Sequence, residues 1–560
     1  MFASFRQSMA WLHTWFGLVL GFVLMVAFFF GALSVFDREI DRWAIPETRF
    51  EPQPMPSFDR MLRPVFERIE PREEELAAAR ERVGGPLEKN LPLMNWSAYT
   101  THRDPVLTMY AEFAVTNNPD DPADHAHGWV TIDPRNGQVL PDGQLKIGSE
   151  FFYPLHYSLH LHWKDLGYWI VGLAALVMLA ALVSGVLIHR KLFRELFTFR
   201  PWKAVRRGTL DLHNLTGVVA LPFHFVFAFT GLVIFASIYL PVGETQLRDR
   251  AHAFYEQEAA AKGLAYTPSG QPAPLASVDA MVVEAKRRWA TRGMPGEVGW
   301  LTVTHVGDSN SYVSIYRAGS DRVALVGQAV HFSGTSGAVI HEEPPPNTAS
   351  SISEFLTGLH LQHFEHWLLR WFYVFGGLAG CVCIATGFIF FIEKRRRQDA
   401  SLGSFGLRIV DAFAITTVTG IVVAASSLLL VNRLLPEHLP QRASWEEGAF
   451  WCAWLLTFMH AASRSAAHAP TSASRAWREQ CAAIAVLAPA AVLANWITTG
   501  DHLLATLGRG YWPVAGLDLA LLVAGAIAAT AAMHLSRRAR AAERSANFGT
   551  PVAAAEAERA

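Results

Sequence analysis

The chain has 560 residues, 51% hydrophobic and only 17% charged, with a formal net charge of −1. So few charges exclude an ordinary soluble domain, and the balance of signs argues against a nucleic-acid partner. Apolar runs long enough to cross a bilayer, at 1.5 Å per residue, fall in chain order at about 9–36, 166–189, 212–240, 367–392, 405–432, 448–463, 478–498 and 513–534. They predict about eight membrane helices, of which 448–463 is the shortest. The first run ends in Ser34-Val-Phe-Asp37 with no small-x-small pattern, so it reads as a retained helix rather than a cleaved leader.

Two longer segments, 37–160 and 241–360, are polar enough to lie outside the membrane as small α+β modules. Within them, 74–82 and 276–286 carry helical periodicity, while 106–114 and 311–316 alternate as strands do. Asp133-Pro-Arg-Asn-Gly137 is a turn signal with glycine where a positive φ is needed. Basic residues gather after the second run (Arg190, Lys191, Arg194, Arg200, Lys203, Arg206, Arg207), after the fourth (Lys394 to Arg397) and in the tail (Arg537, Arg538, Arg540, Arg544). The positive-inside rule then puts these links and both chain ends in the cytoplasm, with the two modules on the opposite side. The resulting plan is a first helix (1–36), a first module (37–160), two helices joined by the basic link (161–240), a second module (241–360), a fourth helix (361–397), an added four-helix module (398–536) and a charged, disordered tail (537–560).

The plan repeats at a shift of about 200 residues. Leu12-His13, Gly17 and Gly31 recur as Leu212-His213, Gly217 and Gly231, and the Val130–Leu140 stretch recurs loosely as Val330–Ile340. Leu155-His156 with His162-Trp163 recurs as Leu359-His360 with His366-Trp367. Each copy has two crossings, so the copies share one topology and are expected around an axis along the membrane normal, forming a four-helix bundle. All four cysteines (Cys381, Cys383, Cys452, Cys481) fall in predicted membrane helices, so no disulfide braces the modules.

Histidines inside apolar helices are costly and usually functional, and neutral imidazole is the usual protein ligand of haem iron. His13 and His213 occupy equivalent depths, with Gly17, Gly31, Gly217 and Gly231 on the same helical stripe, leaving room for helix approach or a flat macrocycle. His224 lies 11 residues beyond His213, about 20° round a straight helix and roughly 16 Å along it, so one helix would present two ligands at two depths. Pro222 beside it signals a kink, and the first copy has Leu24 there instead. The alternative for these residues is hydrogen bonding at helix interfaces or, for His224, a proton relay or kink cap. In the segments before the second and fourth helices, His156 and His360 are the repeat-related candidates; His160, His162, His189, His363 and His366 are alternates. A zinc site there would have only Glu365 as a nearby acid. His125 and His127 read as an incidental surface patch in a loop. No nucleotide-binding or hydrolase motif is present, so an electron donor would be a separate protein, a quinol or a diffusible reductant.

With these residues in hand, the chain resembles the PepSY-associated transmembrane family, which includes bacterial inner-membrane ferri-siderophore reductases. The likeness covers about residues 1–397 and rests on Leu155-His-Tyr-Ser-Leu-His160, Ser184-Gly-Val-Leu-Ile-His189-Arg-Lys, Phe197-Thr-Phe-Arg200, Asp211-Leu-His213-Asn, Leu221-Pro-Phe-His224 and Leu359-His360 with Arg370-Trp-Phe-Tyr373. Val130–Leu140 is similar to the strand–turn–strand of a PepSY module; the second copy departs from it, with Ser333 in place of Asp133. The resemblance implies a haem b protein, here with two haems, that carries electrons outward through the inner membrane and reduces ferric siderophores in the periplasm. His13 and His213 would serve the cytoplasmic-side haem, with His156, His224 and His360 supplying further ligands in an open pairing. Trp96, Tyr99 and Trp129 are candidate contacts for the ferric chelate. Rival readings are a siderophore or iron permease and a non-catalytic membrane protein whose PepSY-like modules bind a regulatory partner. The family pattern does not extend to the last four helices, whose role stays open.

Overall fold

A computed structural model describes residues 4–87, 91–100, 104–116, 125–189, 205–239, 254–325, 327–398, 405–465 and 475–548. Most of the basic link, including Arg190 to Lys203 and the Phe197–Arg200 motif, lies outside the described residues. The chain divides into a helical unit (1–46, 143–235 and 368–560) and a sheet unit (47–142 and 236–367).

In chain order the helical unit starts with α1 (Phe5–Val19), α2 (Gly21–Ser34) and α3 (Asp37–Ala44). The helix α4 (Glu73–Val83) and strands β1 (Leu93–Tyr99), β2 (Leu107–Ala114) and β3 (His125–Ile132) belong to the sheet unit. The chain returns to the helical unit with α5 (Tyr153–Tyr157), α6 (Leu166–Ile188), α7 (Val205–Val219) and α8 (Leu221–Ile234). The second sheet-unit passage supplies α9 (Val278–Thr291), β4 (Val298–Thr304), β5 (Tyr312–Arg317), β6 (Ala329–Ser333), β7 (Val339–Glu342) and α10 (Thr348–Leu361). The remainder is helical: α11 (Trp367–Gln398), α12 (Phe405–Ile415), α13 (Ile421–Leu434), α14 (Arg442–Arg464), α15 (Arg475–Thr499) and α16 (Trp512–Phe548).

Among the described residues, five helices are long and apolar enough to span a membrane, and the number reaches seven if each of two bent pairs counts as one span. The chain is thus a multi-pass membrane protein, with fewer qualifying spans than the eight apolar runs suggested. The run at 448–463 lies in α14, whose first half carries Arg442, Glu446 and Glu447 and dilutes its hydropathy. The two bent pairs are repeat partners: α1 and α2 meet at 61°, and α7 and α8 at 63°. Pro222 in the first turn of α8 explains the second break, since its ring cannot continue a preceding helix. The first break has no proline; Gly21 sits there, and a Cβ on it would stand 3.0 Å from the Phe388 ring, so the missing side chain lets α11 approach.

The bundle core is apolar and small-residue rich: Leu24, Met25 and Phe28 from α2 meet Ala174 and Met178 of α6, Ala228 of α8 and Cys381 of α11. The last four helices join the same unit. Ile421, Leu428, Phe450, Ala491 and Leu521 share one core with Phe30, Ile40, Trp43 and Phe152. Polar ties support it: buried Glu446 accepts bonds from Asn432 Nδ2 at 2.9 Å, Arg442 Nε at 3.0 Å and the Leu145 amide at 3.3 Å, while Arg433 reaches the Ala44 carbonyl. Pro489 inside α15 is accommodated by Gly525 of α16, where a Cβ would lie 3.0 Å from the proline ring. The segment from Arg537, expected as a disordered tail, continues α16 in helix to Phe548; its Ala, Arg and Glu content favours helix.

The two α+β segments, read as separate modules, build one seven-stranded antiparallel sheet in the order β3-β2-β1-β4-β5-β6-β7. The seam is β1 on β4, with Trp96 opposite Val303 and Tyr99 opposite Trp300. Two edge strands pairing remove two exposed edges, which isolated three- and four-stranded sheets would have presented. One face is covered by the helical stretch 58–66 and by α9, burying Phe58, Phe66, Trp96, Met281, Trp289, Leu301, Ile315 and Phe332. The repeated turns match: Gly137 and Gly337 have φ of +74° and +72°, and their amides bond the carbonyls of Asp133 and Ser333 at 2.8 and 2.9 Å.

Candidate functional site

His13 and His213 come together in the bundle, their ring centroids 6.1 Å apart and their planes nearly perpendicular at 83°. Each ring is fixed from the side by the other helix of its own repeat. His13 Nδ1 lies 3.0 Å from the Ala181 carbonyl of α6, and His213 Nδ1 lies 2.7 Å from the Cys383 carbonyl of α11. A carbonyl only accepts, so Nδ1 carries a proton in both rings and, in the neutral ring, Nε2 keeps its lone pair. Among the described residues nothing hydrogen-bonds either Nε2.

Glycines on the opposing helices lie beside these rings. A Cβ on Gly185 or Gly387 would stand 3.4 Å from the Cε1 of His13 or His213. Beside each glycine a hydroxyl bonds the same backbone carbonyl that holds the histidine: Ser184 Oγ to Ala181 O at 3.0 Å, Thr386 Oγ1 to Cys383 O at 2.9 Å. The repeat is therefore kept in chemistry, with Ser184-Gly185 answering to Thr386-Gly387. Sequence reasoning placed the helpful glycines on the histidines' own helices. Gly17 has no atom within 4 Å of its would-be Cβ, and Gly31 lies past the α1–α2 break, where it serves His156 instead. The recurrence of small hydroxyl-glycine pairs at a spacing of 202 residues was the signal that could have found Gly185 and Gly387.

His156, in α5, points its Nδ1 at the Ala27 carbonyl of α2, 2.8 Å away. Gly31 makes this possible: a Cβ there would fall 2.8 Å from that nitrogen. His224 is buried and packs edge-on to Phe28 at 5.4 Å, with Nε2 3.3 Å from the Gly376 carbonyl of α11. It does not share a straight helix face with His213, because the 63° break falls between them. The backbone carbonyl it bonds belongs to α11, not to the proline-freed turn of its own helix. His360 ends α10 in the sheet unit, where His363 and His366 follow it. His160 stacks on Phe151 at 4.9 Å and bonds its carbonyl at 2.9 Å, a packing role; His162 is its edge neighbour at 6.1 Å. His189 caps α6. Glu365 accepts a 2.8 Å bond from Ser320, and no group of three metal-ligating side chains forms among the described residues.

The sheet's second face carries a cleft of about 370 Å³, lined by Asn95, Ser97, Tyr99, Tyr110, Glu112, His127 and Trp300. Tyr99, Tyr110 and Trp300 are 38–43% exposed, and Trp300 stacks on Tyr316 at 4.9 Å. Trp96 borders the cleft, but strand alternation turns its ring to the core, where it stacks on Phe66 at 5.1 Å. Trp129 holds the Arg72 guanidinium 4.3 Å from its ring. His125 and His127 are on β3 rather than in a loop, both beside Glu112, with His125 Nδ1 2.8 Å from its carboxylate.

Two like-tautomer histidines facing each other in a membrane bundle define a class: multi-pass proteins with paired imidazoles able to hold a metal centre from two sides. The 6.1 Å centroid separation is of the size that two imidazoles bound to one metal, at about 2 Å metal–nitrogen distance, would show. The family model for the PepSY-associated TM region matches residues 10–394, and the chain belongs to that family. It is also 27% identical over 392 residues to a Pseudomonas aeruginosa protein named only as uncharacterized protein PA4219, covering 67% of this chain and 91% of that one.

Proposed function

We propose that this protein is a haem b oxidoreductase of the bacterial inner membrane that passes electrons outward to reduce ferric siderophores in the periplasm. The observation that carries the reading is the His13–His213 pair, with each Nδ1 committed to a carbonyl and each Nε2 left for iron. Haem would supply one-electron redox chemistry within the helical bundle. His13 and His213 would hold the iron, with the Ala181 and Cys383 carbonyls fixing the ring orientations. His156 and His224, in the helical unit, are the candidates for a second haem there, and His360, in the sheet unit, is a separate candidate ligand. His156 has the same Nδ1-to-carbonyl arrangement as the first pair; His224 spends Nε2 on Gly376 and would need to turn.

The substrate end of the reading rests on the aromatic cleft of the sheet unit, where Tyr99, Tyr110 and Trp300 offer flat faces to a bulky, partly apolar chelate. Reduction acts as release chemistry: one electron converts Fe³⁺ to Fe²⁺, which hard oxygen donors hold less tightly. The electron donor is a quinol or a cytoplasmic reductant. A permease reading has one feature in its favour, the two broken helices related by the repeat, since transporters place sites at discontinuous helices. A reduced-minus-oxidised visible spectrum separates the two: haem Soret and α bands in purified protein support the oxidoreductase, and their absence removes it.

A further inference from the structure

The last two helices frame an open groove of about 420 Å³ that the redox reading does not use. It lies where α15 begins and where α16 emerges from its apolar stretch, and Arg478, Arg537 and Arg540 line it. On α16 the lining residues Ala532, Met533, Ser536, Arg537 and Arg540 recur every three or four positions, which puts them on one stripe; Arg478 and Ala482 do the same on α15. Three arginines thus line one space, and among the described residues none of them has a carboxylate or other hydrogen-bond partner. Glu479, the only acid in the lining, is already engaged by His460 at 2.8 Å and Arg464 at 3.4 Å. Below the arginines the wall turns apolar at Ala482 and Ala532, and the adjoining helix flanks expose Val486 (67%) and Met533 (53%).

We propose that this groove binds the phosphodiester headgroup of an anionic phospholipid, with the acyl chains lying along the exposed flanks of α15 and α16. The chemistry matches at both ends. Arginine forks pair with phosphate oxygens in a fixed geometry, and Ser536 adds a hydroxyl donor. Arg478 sits near the start of the candidate span Arg475–Thr499, and Arg537 and Arg540 near the end of Trp512–Ala541; span ends are where lipid headgroups lie. Ordinary positive-inside placement requires basic residues near a span but not three lining one groove.

The test uses the full-length protein in phosphatidylcholine nanodiscs carrying a fluorescent phosphatidylglycerol probe. Wild type should hold the probe in preference to its phosphatidylcholine analogue. The Arg478→Ala/Arg537→Ala/Arg540→Ala variant should lose about a hundredfold in relative affinity, at about fivefold per arginine. Arg538→Ala, which removes an equal charge outside the groove, should bind as wild type does. If the triple variant fails to fold, the exposed Arg540→Gln alone should lose about fivefold. Equal retention by wild type and the groove variants would overturn the proposal. So would full displacement of the probe by millimolar inorganic phosphate, which would mark a site for a soluble anion.

Discussion

The Trp43 indole donates a 2.8 Å hydrogen bond to Asp518 Oδ1, and both side chains are fully buried. This bond joins α3, in the first repeat, to α16, which lies beyond the matched family region. Together with Glu446 and Arg433 it makes the last four helices part of the same core rather than an independent appendage. Asp518→Ala leaves a buried donor unsatisfied, which costs about 1–3 kcal/mol. A lowered Tm of the detergent-purified protein is expected, with Asp518→Asn, which keeps an acceptor, falling in between. An unchanged Tm for Asp518→Ala would mean the contact contributes nothing to holding the helices together.

The glycines beside the histidines are predicted to differ in tolerance. Gly387→Ala meets His213 Cε1 at 3.4 Å, an ordinary contact, so the ring stays and the protein behaves as wild type. Gly31→Ala drives a methyl to 2.8 Å from His156 Nδ1 and must displace that ring from the Ala27 carbonyl. Haem content per protein should therefore be kept in the first variant and reduced in the second, as read from pyridine-haemochrome spectra. The reverse order would contradict the assigned surroundings of the two histidines.

A pH dependence follows for the sheet unit. Burial raises the Asp308 pKa, but hydrogen bonds from the backbone amides and hydroxyl of Ser269 and from the Asn310 and Gly270 amides outweigh it and bring it down to about 2. A depressed carboxylate stabilises the fold fully above its unfolded value of about 3.9, and that stabilisation disappears as pH falls through the folded value. The stability gap between wild type and Asp308→Asn should be widest at pH 5 and close toward pH 2. Chemical denaturation midpoints across that window check it; a gap constant with pH would show that Asp308 does not titrate as described.

Substrate contact at the aromatic cleft is testable apart from electron transfer. Trp300→Ala removes the stacked ring over Tyr316, and an aromatic contact contributes about 0.5–1.5 kcal/mol. KM for a ferric chelate should rise up to about tenfold while the haem spectrum stays unchanged. If KM does not move, the cleft is not the binding surface.

Much of this architecture was legible in the residues because its signals are local. Apolar runs mark helices, Gly137 and Gly337 mark turns, and the 200-residue repeat brought His13 and His213 into one argument before any coordinates. What was not legible depends on long-range geometry. Counting turns from His213 to His224 assumes a straight helix, and the break at Ala220 defeats it; Pro222 announced a kink but not its angle. The pairing of β1 with β4 joins residues about 200 apart and leaves no periodic trace in either strand. Trp96 and Tyr99 look equally available as aromatic residues, yet strand alternation and the covering helix bury one and expose the other. Buried charges such as Asp518 and Glu446 read as loop or helix-end residues until their partners are seen.

The central claim is that His13 and His213 hold one haem between them. The most direct measurement is the reduced-minus-oxidised absorbance of purified wild type beside His213→Ala, normalised to protein. The account predicts Soret and α bands in wild type and loss of one haem's share in the variant, with the fold retained. Full absorbance in His213→Ala, or no haem bands in wild type, would contradict it.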